Sequence, residues 1–202
     1  MTAGLHLVDI ALESFMVATR AATKLMTAEE LEAMGSADEL LELIEGEILE
    51  VAAAGGKHGA IESRLHHHIS VCVYRDSLGE LFGSDTGFII GRNPDSVLMP
   101  DIAFVAAERI PDEGVWDGFV PLAPDLAVEI ASPSNRKGEL LRKIGLFLGS
   151  GTRLAWLVRP KERTITVFKP DAPEQVLGAR DAMDGGDVLP GFSLQLVELF
   201  DR

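Results

Sequence analysis

Positive charge is what this sequence most lacks. Its 18 Lys and Arg face 32 Asp and Glu, a net charge of −14, whereas a nucleic-acid ligand is ordinarily met by cations that displace phosphate counterions. Cysteine is nearly absent: Cys72 stands alone, so no intramolecular disulfide can form and a reducing compartment is expected. No apolar run approaches the roughly 20 residues that cross a bilayer. The stretch Met1 to Ala22 holds Asp9 and Glu13 among its apolar residues and has no basic leader, unlike a secretory signal. A cytoplasmic protein without membrane contact is the expectation. A phosphate loop is missing too, because Ala54-Gly-Gly-Lys57-His58 has neither the spacing nor the terminal hydroxyl. Ser132 and Ser134 lack the setting of a nucleophile elbow, and no helix-turn-helix or zinc finger is evident.

What is present is ordinary for a soluble globular chain: 202 residues, 47% hydrophobic and 25% charged, enough for one buried core. We expect one domain over residues 25–202, preceded by an amphipathic N-terminal extension of helical character over residues 1–24. Thr27-Ala-Glu-Glu30 has capping-box spacing and predicts a short helix ending at Gly35. Leu41 to Val51 reads as two strands turning at Gly46. Ile61, Leu65, Ile69 and Cys72 follow helical spacing over Gly59–Asp76, as do Leu140, Ile144, Phe147 and Leu148 over Gly138–Leu148. Strands are predicted at Leu81–Ile90, Val97–Val105, Leu126–Ala131, Arg153–Val158 and Thr164–Phe168, with a last strand and terminal turn from Val188 to Phe200. Mixed strands with helices around them suggest an α/β sandwich, one sheet with helices on its faces.

The charge is unevenly spread. Between Ser134 and Lys169 stand Arg136, Lys137, Arg142, Lys143, Arg153, Arg159, Lys161, Arg163 and Lys169 against Glu139 and Glu162. That stretch carries +7 and the remainder −21, together the −14 of the chain. Such asymmetry marks either a phosphate-facing surface or a solvated basic face.

Two carboxylates interrupt apolar strands. In Leu126-Ala-Val-Glu129-Ile-Ala131 the alternation of a strand puts Leu126, Val128 and Ile130 on one face and Ala127, Glu129 and Ala131 on the other. An ionised acid among such neighbours needs a positive partner, and a metal ion is one. Val97-Leu-Met-Pro100-Asp101-Ile-Ala-Phe-Val105 repeats the pattern with Asp101. Oxygen ligands of this kind suit Mg²⁺, which can activate water and neutralise a phosphoryl oxygen. Lys143 lies at the edge of an apolar helix stripe, where its stem can run along the core and deliver the ammonium inward. Each has a plainer reading. Asp101 next to Pro100 could cap a turn, Lys143 could pair with Glu139 at i,i+4, and Glu42 could be an exposed hairpin acid beside Glu45 and Glu47.

Thr27-Ala-Glu-Glu30, Glu42-Leu-Ile-Glu-Gly46-Glu, His58 opening a helix, Pro100-Asp101, Ala123-Pro-Asp-Leu-Ala-Val-Glu129-Ile-Ala-Ser-Pro-Ser134, the helix bearing Lys143, Trp156-Leu-Val and Leu189-Pro-Gly191-Phe-Ser-Leu resemble the Uma2 family of restriction-endonuclease-like proteins. The resemblance runs from about Leu25 to Phe200. It implies the PD-(D/E)XK superfamily, a restriction-endonuclease-like mixed sheet flanked by helices, and a metal-dependent endonuclease using Mg²⁺ or Mn²⁺ on nucleic acid, DNA first, as a homodimer. By the same resemblance Asp101 and Glu129 are metal ligands, Glu42 assists them, and Lys143 replaces the superfamily lysine whose usual place holds Ala131. His58 matches a family histidine near the start of the long helix, with a substrate-side role expected. Arg159 stands where the family commonly has Asp, and Phe147 where it has Tyr, which puts substrate contacts in question. Arg136, Lys137 and Arg142 are the candidate phosphate contacts. The competing expectation is a nuclease-like fold serving as a binding or interaction module without catalysis, which the acidic remainder favours. His66-His67-His68 is not a zinc site, since successive helical residues point about 100° apart.

Overall fold

A computed structural model describes residues 24–35, 40–133, 135 and 138–201. Residues 1–23 of the expected extension, and the candidate residues Arg136 and Lys137, lie outside the described residues. In chain order the elements are α1 (Ala28–Ala33), β1 (Leu40–Ile44), β2 (Glu47–Val51), α2 (Gly56–Arg75), β3 (Gly79–Phe82), β4 (Phe88–Gly91), β5 (Ser96–Leu98), β6 (Ile102–Ala106), β7 (Leu126–Ile130), α3 (Glu139–Gly149), β8 (Leu154–Arg159), β9 (Thr164–Phe168), β10 (Gln175–Gly178), β11 (Ala182–Gly185), β12 (Leu189–Gln195) and α4 (Leu196–Phe200). The α/β class and the mixed sheet flanked by helices expected from the sequence are both present.

Six strands form the central sheet in the order β10-β9-β8-β7-β6-β3. β7 and β8 pair in parallel and the other pairs are antiparallel. A parallel pair needs a crossover, which α3 supplies. The middle strands Ile-Ala-Phe-Val-Ala, Leu-Ala-Val-Glu-Ile and Leu-Ala-Trp-Leu-Val-Arg are apolar almost throughout because both faces are covered. On one face Ile61, Leu65 and Ile69 of α2 pack with Leu126, Val128, Ile130 and Trp156 in the main core. On the other, Phe147 of α3 packs with Ala127, Ile44 and Leu98. The alternation read in β7 thus divides the layers, and Glu129 shares the face of Ala127.

A four-stranded sheet, β2-β1-β5-β4, lies against that second face. β1 and β2 turn through Glu45 (φ 51°) and Gly46 (φ 81°), the two left-handed residues of a type I′ hairpin. Leu43 faces α1, packing with Ala28, Leu31 and Val97, so Glu42 and Ile44, on the opposite face of β1, look toward β7 and α3.

The strand predicted over Val97–Val105 divides. β5 ends at Leu98 in the four-stranded sheet and β6 begins at Ile102 in the six-stranded one, with Met99-Pro100-Asp101 carrying the chain between them. Pro100 has no N–H to give a ladder, and the apolar run hides the change of sheet. Leu81–Ile90 likewise divides into β3 and β4. Asp125, 1% exposed, fastens the start of β7 by accepting from the Ala106 backbone N–H and pairing with Arg109, a structural use of a buried acid.

Candidate active site

Three elements bring charge to one point on the α3 side of the sheet. β1 presents Glu42 and β7 presents Glu129, which are 2% and 3% exposed, and α3 presents Lys143 at 8%. The Lys143 ammonium stands 2.8 Å from Glu42 Oε1 and 2.8 Å from Glu129 Oε1, and 3.3 Å from the Met99 carbonyl, to which it donates. Lys143, Ile144 and Phe147 form the buried face of α3, so helical spacing carries the lysine stem inward among its apolar neighbours. The acids that receive this ammonium are Glu42 and Glu129.

Burial raises the Glu129 carboxyl to about 8, against the pull of Lys143 and with the help of the charges on Asp101 and Glu42. For Lys143 burial acts to lower the pKa, but Glu129 and Glu42 outweigh it and hold the ammonium above its ordinary value. A buried cation flanked by two acids therefore keeps its charge.

Asp101 stands next to this cluster, where β7 ends. Its Oδ2 accepts the Ile130 backbone N–H at 2.6 Å and the Nε2–H of His58 at 3.2 Å. Met99, two residues earlier, donates its N–H to Glu42 Oε1 at 2.8 Å, so the crossing between sheets is fastened at both ends by candidate site residues. α2 covers the opposite face of the sheet, yet its first turn reaches this point. His58 is 8% exposed and its Nδ1 lies 3.7 Å from Glu62 Oε2, one turn further along α2. That Nδ1 is buried without a hydrogen-bond partner. The hydrogen bond to Asp101 raises the His58 pKa despite burial, aided by the charges of Asp101 and Glu62. Burial, with the charge of Asp101, raises that of Glu62.

Ligand atoms of His58, Glu62 and Asp101 lie within 4.8 Å of one another. Donors about 2.1 Å from an octahedral ion stand up to about 4.2 Å apart across it, so these three fit a divalent cation after sub-ångström adjustment. Glu62 was not among the candidates read from the sequence. Its signal was there, four residues after His58 on a helix and so on the same face, but no apolar contrast drew attention to it. Arg142 is exposed on α3 beside Lys143.

A mixed sheet bearing a lysine, four carboxylates and a histidine near the end of a parallel strand pair is the arrangement of a nuclease-like α/β protein. The Uma2 family pattern, described as "Putative restriction endonuclease", matches residues 28–197, and the chain belongs to that family. Among solved structures, it is similar to the crystal structure of a "putative nuclease belonging to DUF820" from Anabaena variabilis, at 26% identity and a TM-score of 0.78, covering 87% of this chain and 98% of that one. No protein with a curated description matches. Family and neighbour together support a nuclease.

Proposed function

We propose that this protein is a metal-dependent endonuclease that hydrolyses phosphodiester bonds of nucleic acid, DNA first. The observation that supports this most is the Lys143 ammonium held 2.8 Å from both Glu42 and Glu129, beside an Asp101 that is itself grouped with His58 and Glu62 at ligand spacing. Asp101 and Glu129 would hold Mg²⁺ or Mn²⁺; His58 and Glu62, which stand at ligand spacing with Asp101 in a group that does not include Glu129, would offer further donors on the α2 side. A bound divalent ion supplies charge neutralisation at the phosphoryl oxygen and acidifies water. Lys143 orients the attacking water or stabilises the charge developing on the phosphate. Glu42 touches neither and acts as a positioning residue, keeping the ammonium charged and in place. Ile130 N–H and His58 Nε2–H fix the rotamer of Asp101, so that this ligand is oriented before any ion arrives. Arg136, Lys137 and Arg142 would contact phosphates, and the functional unit would be a cytoplasmic homodimer.

The test is incubation of purified protein with plasmid, linear DNA, single-stranded DNA and RNA in Mg²⁺ or Mn²⁺. Cleavage by the native chain, abolished in Glu129→Ala and Asp101→Asn, is the expected result. Cleavage that survives both substitutions overturns the assignment. The net charge of −14 favours a second reading, a nuclease-like binding or interaction module, which predicts no Mg²⁺ binding at Asp101 and Glu129 and no cleavage under any divalent ion.

A further inference from the structure

We infer that the groove between the start of α2 and the turn after β8 is a seat for the sugar-phosphate backbone of the substrate strand. This rests on the nuclease reading for its orientation, though not for its test. A cavity of about 440 Å³ is lined by Lys57, Arg64, Lys161 and Arg163, with Pro160 and Phe200 among its apolar lining. That volume is in the range of small-ligand sites and suits a nucleotide unit. Lys57 directly precedes His58, and the groove follows the same helix through Ala60 and Ile61 to Arg64. β8 is the parallel partner of β7, and its residue Val158 pairs with Ile130, so the turn Pro160-Lys161 follows the strand end whose Ile130 N–H bonds Asp101. In open α/β sheets ligands gather at the carboxyl ends of the strands.

The charges fit a polyanion. Lys57 and Lys161 are exposed and form no ion pair among the described residues. Arg64 is held by donating to the Ala60 and Leu199 carbonyls, which fixes its guanidinium at the groove without neutralising it. Arg163 pairs with Asp201, and that pair leaves the groove three uncompensated cations on a chain whose net charge is −14. The N-terminus of α2, a 20-residue helix whose N-cap Gly55 makes no side-chain cap bond, adds its positive end at Lys57. Elsewhere an acidic surface would repel nucleic acid, so a local cationic track sets where the strand can run.

The experiment measures binding of a short fluorescent DNA duplex, with Ca²⁺ in place of the catalytic ion, as a function of salt. Lys57→Ala/Lys161→Ala should lower the slope of log affinity against log salt by about 2, one per phosphate contact. Lys169→Ala, at the far end of β9, should leave the slope unchanged. Hydrolysis of bis(4-nitrophenyl) phosphate, too small to reach the groove, should be the same in the double variant as in the native chain. An unchanged slope in the double variant, or an equal fall with Lys169→Ala, overturns the groove assignment. A native chain that binds duplex with the predicted slope change but cleaves neither substrate overturns the catalytic reading and leaves the groove standing.

Discussion

Lys143 and Glu129 meet as an ion pair of 2.8 Å across the boundary between a helix and the sheet it covers, with Glu42 completing the triad from another sheet. Removing one member of a buried group of paired charges leaves uncompensated charge, at a cost of about 3–5 kcal/mol. Lys143→Ala should therefore lower stability to that extent by chemical denaturation, and abolish cleavage. The combined Glu42→Gln, Glu129→Gln, Lys143→Met variant should regain much of the loss and remain inactive. Full activity in the refolded triple variant would remove this group from the reaction.

Proton release from the site should weaken the metal-free fold as pH rises. Glu129 has a folded pKa of about 8, above its ordinary 4.5, so between these values the folded state holds a proton that the unfolded chain has lost and stability falls with pH. His58, raised above 6.5, acts in the same direction, its contribution complete below that value and lost as pH passes the folded pKa. Tm of chelator-treated protein should decline over this window, and Glu129→Gln should flatten the decline. An unaltered slope in Glu129→Gln would refute the assignment.

A divalent ion must displace those protons, since ligands bind it deprotonated. Mn²⁺ should raise Tm more at the alkaline end of the same window than at the acidic end. His58→Ala should weaken Mn²⁺ more than Mg²⁺, because imidazole suits transition metals while Mg²⁺ keeps to oxygen. Calorimetric titration with each ion reads this directly, and equal losses for the two ions would exclude His58 as a ligand.

Gly46 should resist substitution although it lies outside the charged cluster. Its φ is 81°, and an added Cβ would come within 2.5 Å of Leu25 Cβ. Gly46→Ala should cost on the order of 1–3 kcal/mol, and because this turn sets the β1 register, denaturant midpoint and cleavage rate should fall together.

Much of this arrangement could be read before any coordinates. An acid within Leu126–Ile130 announces itself because strand alternation leaves it among small neighbours, and the stripe of α3 points Lys143 inward by spacing alone. The crossing at Met99–Asp101 was hidden, since apolar residues on both sides of Pro100 look alike whether one sheet or two receives them. Glu62 was hidden for another reason: a half-buried acid on a polar helix face resembles any solvated one until His58 and Asp101 come near it. β10 and β11 escaped because Gln175–Gly178 and Ala182–Gly185 are short and carry few apolar residues, so pairing rather than sequence defines them.

The junction Met99–Asp101 makes the proposed reaction centre a gauge of how the four- and six-stranded sheets are stacked. Its first residue is bonded to Glu42 and Lys143, while its last is clamped to the end of β7 and to α2. Any slippage between layers must shear the carboxylate of Asp101 away from the amine. Repacking Ile44, Leu98 or Phe147, none of which is charged, should thus detune turnover before it unfolds the chain.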